Sequence, residues 1–215
     1  MRACVRVVAA IVLGRHLRIT GLHNIPARGA ALVVGNHVGA VDPVVMGINI
    51  RRLDVYYMGK SELFRKRFLG WLFRQCHTFP VVRDSPDRTA LRRALDVLAG
   101  GHVLLVYPEG TRRADGSVGR AHAGAGFIAR HSGAPIVPVG AWGSDRVLPR
   151  GARVPRRAPV RLNVGAPFRL PAAGRDGRPL SNQEAADYMM ARVAELLPAA
   201  ERLGRDTLSR TSPAA

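Results

Sequence analysis

The segment Asn36-His37-Val38-Gly39-Ala40-Val41-Asp42 sets an imidazole and a carboxylate five residues apart across a glycine-containing turn. Such a turn can bring the two side chains face to face. The carboxylate then holds one ring nitrogen as N–H and leaves the other as a proton acceptor. The same residues also suit an ordinary turn in which aspartate bonds its own backbone. No nucleophile accompanies the pair. A GxSxG elbow is absent, Ser117 has Asp115 where the first glycine belongs, and neither Cys4 nor Cys76 lies beside a motif. A base without a protein nucleophile is expected to act on a hydroxyl of the substrate. HExxH does not occur and no His/Asp/Glu cluster has metal-ligand spacing, so neither metal nor cofactor is expected.

A second polar group, Glu109-Gly110-Thr111-Arg112, closes the apolar run Val103–Val106. Glycine lets backbone approach a ligand, arginine offers a fork for phosphate, and glutamate can accept from a hydroxyl or orient the arginine. An exposed Glu–Arg pair would look the same. Arg83 ends another apolar stretch, Phe79–Val82, and is a further candidate phosphate ligand. Gly59-Lys60-Ser61 has the tail of a phosphate-binding loop, but Asp54 stands where that loop needs its first glycine. A helix cap with a surface lysine is the reading retained there.

These groups need a scaffold, and the pattern predicts one. Ala30–Val34, Val55–Met58, Phe79–Val82, His102–Tyr107, Pro135–Val139 and Val160–Val164 read as strands. Helices are predicted over Val44–Asn49, from Ser61 to about Gln75, from Ser85-Pro86 to Gly100-Gly101, over Gly124–His131, and from Ser181 to about Leu197. Ser181 and Glu184 have capping-box spacing, and Pro86 would sit at a first helical position. Alternating strands and helices indicate an α/β single domain, with a mostly parallel or mixed sheet flanked by helices. In such sheets ligands bind beyond the carboxyl ends of the strands. Asn36-His37, Arg83 and Glu109–Arg112 all fall there.

The chain has 215 residues, 47% of them hydrophobic, enough to bury a real core. The formal charge is +18, and all cations but Lys60 and Lys66 are arginine. Collagen, coiled coil, disulfide scaffold and intrinsic disorder are excluded by composition. The charge favours a polyanionic partner: nucleic acid, an anionic membrane or a phosphorylated substrate. No apolar run is long enough to span a bilayer. Residues 1–19 form an apolar and basic stretch. It suits a membrane-associating surface helix carrying Arg2, Arg6, Arg15 and Arg18, or equally an N-terminal helix packed on the core. Residues 20–198 form the predicted domain, and 199–215 a tail expected to be disordered.

Together the polar blocks resemble the glycerolipid acyltransferase family, the 1-acyl-glycerol-3-phosphate acyltransferases. Asn36–Asp42 matches its NHxxxxD (HX4D) block, and Gly70-Trp71-Leu72 through Phe79-Pro80-Val81-Val82-Arg83 is similar to its second. Tyr107–Arg112 matches FPEGTR with Tyr for Phe, and Ile136-Val137-Pro138-Val139 resembles the fourth. Val82, Arg113 and His122 depart from the residues usual there. The resemblance implies an O-acyltransferase of phospholipid biosynthesis. His37 would deprotonate the sn-2 hydroxyl of lysophosphatidic acid as it attacks an acyl-CoA or acyl-carrier-protein thioester, giving phosphatidic acid, with Asp42 orienting His37. Asn36, Arg83, Glu109, Gly110, Thr111 and Arg112 would bind the acceptor, and Pro138 would shape the pocket. An acyl tunnel and an anionic membrane surface, on the cytoplasmic face, complete the expectation. An acyltransferase for another lysolipid hydroxyl is the alternative. A basic nucleic-acid- or lipid-binding protein without catalysis belongs to a different class. It leaves the His–Asp pair unexplained, and nucleic acid is not the expected partner.

Overall fold

The computed structural model describes residues 14–82, 87–112, 119–152, 154–174 and 176–198. Seven strands form one sheet in the order β1-β7-β6-β2-β5-β3-β4. They are β1 (Leu17–Thr20), β2 (Ala31–Gly35), β3 (Val55–Lys60), β4 (Thr78–Val81), β5 (Val103–Val106), β6 (Ile136–Trp142) and β7 (Val160–Val164). All neighbours pair in parallel except β6 and β7. The α-helices are α1 (Asp42–Asn49), α2 (Arg67–Gln75), α3 (Arg88–Ala99), α4 (Ala123–Ser132) and α5 (Asn182–Ala194).

β2 and β5 are continuous apolar runs because helices or strands cover both their faces. Every residue of each is buried. On one face Leu32, Val34, Leu104, Val106 and Ile136 meet the apolar stripes of α3, α4 and α5. On the other, Ala31, Val33, Val103, Leu105 and Val137 meet Val45 and Met46 of α1. The helix after β2 therefore packs on one face and the helix after β5 on the opposite one. Adjacent strands whose helices diverge in this way leave a crevice beyond their carboxyl ends.

The predicted mixed α/β sheet is what forms, with three local differences. β1 was missing from the sequence reading, which gave residues up to 19 to a membrane-associating segment. Leu17–Thr20 instead pairs with Val160–Asn163. The strand is too short for its alternation to stand out. Gly21 ends it in a left-handed conformation (φ 71°), so close to β7 that a Cβ would lie 2.0 Å from the Val164 carbonyl oxygen. The helix expected from Ser61 is broken: Ser61–Phe64 is a 3₁₀ turn and α2 starts at Arg67. The turn folds back over Gly70, where a Cβ would sit 2.8 Å from the Phe64 carbonyl oxygen. Ser61 Oγ bonds Glu62 rather than capping a helix. The Ser85-Pro86 helix start and the Cys4, 1–13 and 199–215 expectations lie outside the described residues. α3 is capped by Asp87, which accepts the Ala90 N–H at 2.9 Å. The Ser181–Glu184 capping box forms, with both reciprocal bonds present.

At the amino ends of the strands, Arg52 bonds the Asp54 carboxylate and donates to the Pro26, Gly29 and Gly101 carbonyls. The Arg52 guanidinium beside it, helped by His102, holds the Asp54 carboxyl well below the usual carboxylate range. A depressed carboxylate stabilises the fold above its unfolded pKa, and that contribution is lost as pH falls through the folded value. Asp54→Asn is expected to cost about 2 kcal/mol in urea unfolding at pH 7. The cost should shrink below about pH 4, where the wild-type carboxylate begins to protonate in the unfolded chain.

Candidate active site

β2 and β5 are neighbours, with Val34 opposite Val106, so the chain leaves both strands side by side. From β2 it enters Asn36-His37 and the turn that starts α1. From β5 it enters Tyr107-Pro108-Glu109-Gly110. The two segments, 72 residues apart, meet at the His37 N–H, which donates to Glu109 Oε1 at 3.3 Å.

Asp42 opens α1, and its side chain turns back toward the strand. One oxygen, Oδ2, accepts from the Val38 N–H (2.8 Å), the Gly39 N–H (2.8 Å) and faces His37 Nδ1 at 3.0 Å. A carboxylate oxygen can only accept, so Nδ1 takes the donor's part, and in the neutral imidazole Nε2 is then the acceptor. Asp42 is 1% exposed and His37 16%, so the carboxylate is shut away while an edge of the imidazole reaches solvent. The Tyr107 ring stacks on the imidazole, with centroids 4.6 Å apart and planes 26° from parallel. Burial, with the Asp42 charge adding to it, pushes the Tyr107 phenol well above its ordinary value. Tyr107 therefore stays neutral at any working pH.

The acceptor-contact candidates separate in space. Asn36 is fully buried. Its amide donates to the Ala141 carbonyl at 2.8 Å and accepts the Ala141 N–H at 2.7 Å, so both its polar atoms tie β2 to β6 rather than facing a ligand. Glu109 is also buried and aims one oxygen at the His37 backbone, which orders the dyad turn. Gly110 takes φ 66° under His122, whose Nε2 would lie 2.8 Å from a Cβ there. Thr111 is exposed and Arg112 half-buried beside this turn, and Arg150 donates to the Arg112 carbonyl at 2.7 Å. Arg83 lies outside the described residues; it follows β4, whose Val81 pairs with Lys60 at the same end of the sheet. Pro138 is buried within β6, opposite Val34. Its carbonyl accepts the Gly165 N–H, and its ring packs so close to Gly165 that a Cβ there would come within 2.9 Å. Its place in the chain is the sheet interior, on the face opposite that of Val137 and Val139.

Sequence reasoning passed over three neighbours. Tyr107 stood in a motif but not as part of the site. Ser144 is fully buried, packed so tightly on Gly39 that a Cβ there would lie 2.5 Å from the Ser144 carbonyl. His122 appeared only as a departure from a family pattern. None carries a local signal, since Tyr107 and Ser144 come against the dyad turn, and His122 against Gly110, only through the fold. A cleft of about 350 Å³ lined by Arg130, Ile136, Arg169 and Leu180 lies at the opposite end of the strands, by the first residue of β6. Among the described residues no three His, Cys, Asp or Glu side chains gather to hold a metal ion.

A family model described as Acyltransferase matches residues 16–142, which include both halves of the site. A 1-acyl-sn-glycerol-3-phosphate acyltransferase of Bacillus subtilis is 27% identical over 152 residues, 71% of this chain and 73% of that protein. A lyso-ornithine lipid O-acyltransferase of Rhodobacter capsulatus is 31% identical over 105 residues, 48% of this chain and 36% of that one. The crystal structure of the 1-acyl-sn-glycerophosphate acyltransferase PlsC of Thermotoga maritima superposes with a TM-score of 0.60 at 28% identity, covering 71% of this chain and 61% of the other. The match to the second and third of these leaves more than a third of the relative's own length uncovered.

Proposed function

Because the chain belongs to the acyltransferase family, we propose that it transfers a fatty acyl group from an acyl thioester to the sn-2 hydroxyl of 1-acyl-glycerol-3-phosphate, giving phosphatidic acid. The observation that carries this reading is the His37 Nδ1–Asp42 Oδ2 contact at 3.0 Å, with the carboxylate buried and the imidazole edge open.

Nε2 of His37 takes the hydroxyl proton as the oxygen attacks the thioester carbonyl carbon. The buried Asp42 charge stabilises the imidazolium that forms. The tetrahedral intermediate then collapses: the C–S bond breaks, the carbonyl re-forms, and the imidazolium returns its proton to the departing thiolate. No acyl-enzyme is needed. Arg112, just after β5, supplies a cationic fork for the acceptor phosphate, and Arg83, which follows β4 in the sequence, is the second cation assigned to it. The donor is acyl-CoA or acyl-carrier protein. Thiol release from each donor, with and without lysophosphatidic acid, tests the proposal. Release that depends on the acceptor and its phosphate supports it. Equal transfer to a lysolipid lacking the phosphomonoester favours the second reading, acylation of another lysolipid, for which the Rhodobacter relative is the precedent.

The enzyme would work at an anionic membrane, on its cytoplasmic face. No helix among the described residues is long and apolar enough to cross one. Val44, Leu63, Phe68 and Val82 are exposed and lie at or just past the carboxyl edge of the sheet. Phe68 (71% exposed) and Trp71 (53%) project from α2 between Arg67 and Arg74. An apolar rim set among cations suits a headgroup layer and would turn the dyad toward lipid. Replacing Phe68 and Trp71 together by serine is expected to weaken flotation with phosphatidylglycerol liposomes by about 10²-fold, the loss of two large inserted side chains. High salt should weaken the wild type as well. Unchanged binding by the double variant would remove α2 from the docking surface.

A further inference from the structure

We propose that Tyr107 is a positioning residue for His37, a flat clamp that holds the imidazole in the orientation where Nδ1 meets Asp42. The inference rests on His37 being the base, and extends that reading to a residue outside the dyad.

The Asp42 contact is a single hydrogen bond to a nitrogen that lies off the Cβ–Cγ axis, so rotation about that bond is the motion that breaks it. A wall against the ring face restrains that rotation. Tyr107 supplies the wall, stacked at 4.6 Å and within 26° of parallel. The sheet makes the placement specific. Gly35 ends β2 directly before Asn36-His37, and a Cβ on it would meet the Tyr107 ring at 3.3 Å (Cε1) and 3.7 Å (Cδ1). The missing side chain at Gly35 is the slot through which the ring lies alongside β2. The chain thus carries three matched parts on two adjacent strands: a glycine that makes room, an aromatic that fills it, and the imidazole it backs. The phenol stays protonated beside the Asp42 charge, so the wall is neutral and does not compete with Asp42 for the Nδ1 proton. The ring rather than the hydroxyl is the working part, so phenylalanine should serve in its place.

The test compares wild type, Tyr107→Phe and Tyr107→Leu, each with and without His37→Ala. Tyr107→Leu is expected to lower kcat about tenfold while the acceptor KM stays within about twofold, as for a base that wanders within its site. Tyr107→Phe restores kcat to within about threefold. In the His37→Ala background, Tyr107→Leu has no further effect, because its action passes through the imidazole. A second readout needs no turnover: the ¹⁵N resonances of the His37 ring report an Nδ1–H tautomer in wild type and Tyr107→Phe, and move toward the two-tautomer average in Tyr107→Leu. Equal losses for Phe and Leu, a Leu effect that persists without His37, or unmoved ring resonances in Tyr107→Leu would each overturn the clamp. If no donor and acceptor pair gives turnover in wild type, the function reading fails, and the ring resonances alone still decide the clamp.

Discussion

Replacing His37 by alanine is expected to lower kcat for acyl transfer at least about 10²-fold, the low end for losing a general base. The fold should barely notice. His37 contributes one hydrogen bond and one ring stack at a partly open site. Its removal leaves Asp42 Oδ2 with the Val38 and Gly39 N–H donors, so the buried carboxylate keeps partners. A stability loss of about 1 kcal/mol is expected from these terms. Thiol release and urea unfolding on the same preparation check both halves. Acceptor KM should hold, since the imidazole acts on the hydroxyl in the transition state more than on bound substrate. Activity within tenfold of wild type would place the base elsewhere.

How much of this was readable beforehand follows from distance along the chain. The His37–Asp42 pair was legible because its contact is local, five residues across one turn, and spacing constrains it. The capping box of α5 was legible for the same reason. The sheet class followed from buried apolar runs between helical patterns. Strand order did not, because a run buried on both faces carries no mark of its neighbours. Everything that depends on that order was hidden. The family resemblance implies a substrate contact for Asn36, but β6 lies beside β2 and its Ala141 backbone takes both amide atoms. Glu109 was read as an acceptor ligand, and β5 on the other side of β2 delivers it to the His37 backbone. Phe68 and Trp71 stand three residues apart, a spacing that puts them on one helical face, yet only the packing of the domain shows that face uncovered.

Asp42→Asn is expected to damage both activity and stability, which separates it from the loss of His37. Substitution keeps the shape but removes the charge that three donors share at Oδ2. An amide oxygen placed there accepts less strongly, and an amide nitrogen placed there would face N–H groups with its own hydrogens. At a site 1% exposed no water restores the balance, so a cost of about 2–3 kcal/mol is expected. The catalytic loss is separate: the Nδ1–H tautomer is then held less strongly or not at all, and the imidazolium formed on attack has no counter-charge. A fall in kcat of at least about 10²-fold follows. The double variant with His37→Ala tests the partition. If Asp42 acts catalytically only through the imidazole, the second substitution leaves residual thiol release unchanged. The unfolding cost should remain, since the Val38 and Gly39 N–H groups still need their acceptor. A further loss of turnover in that background would instead give Asp42 a direct part in the chemistry.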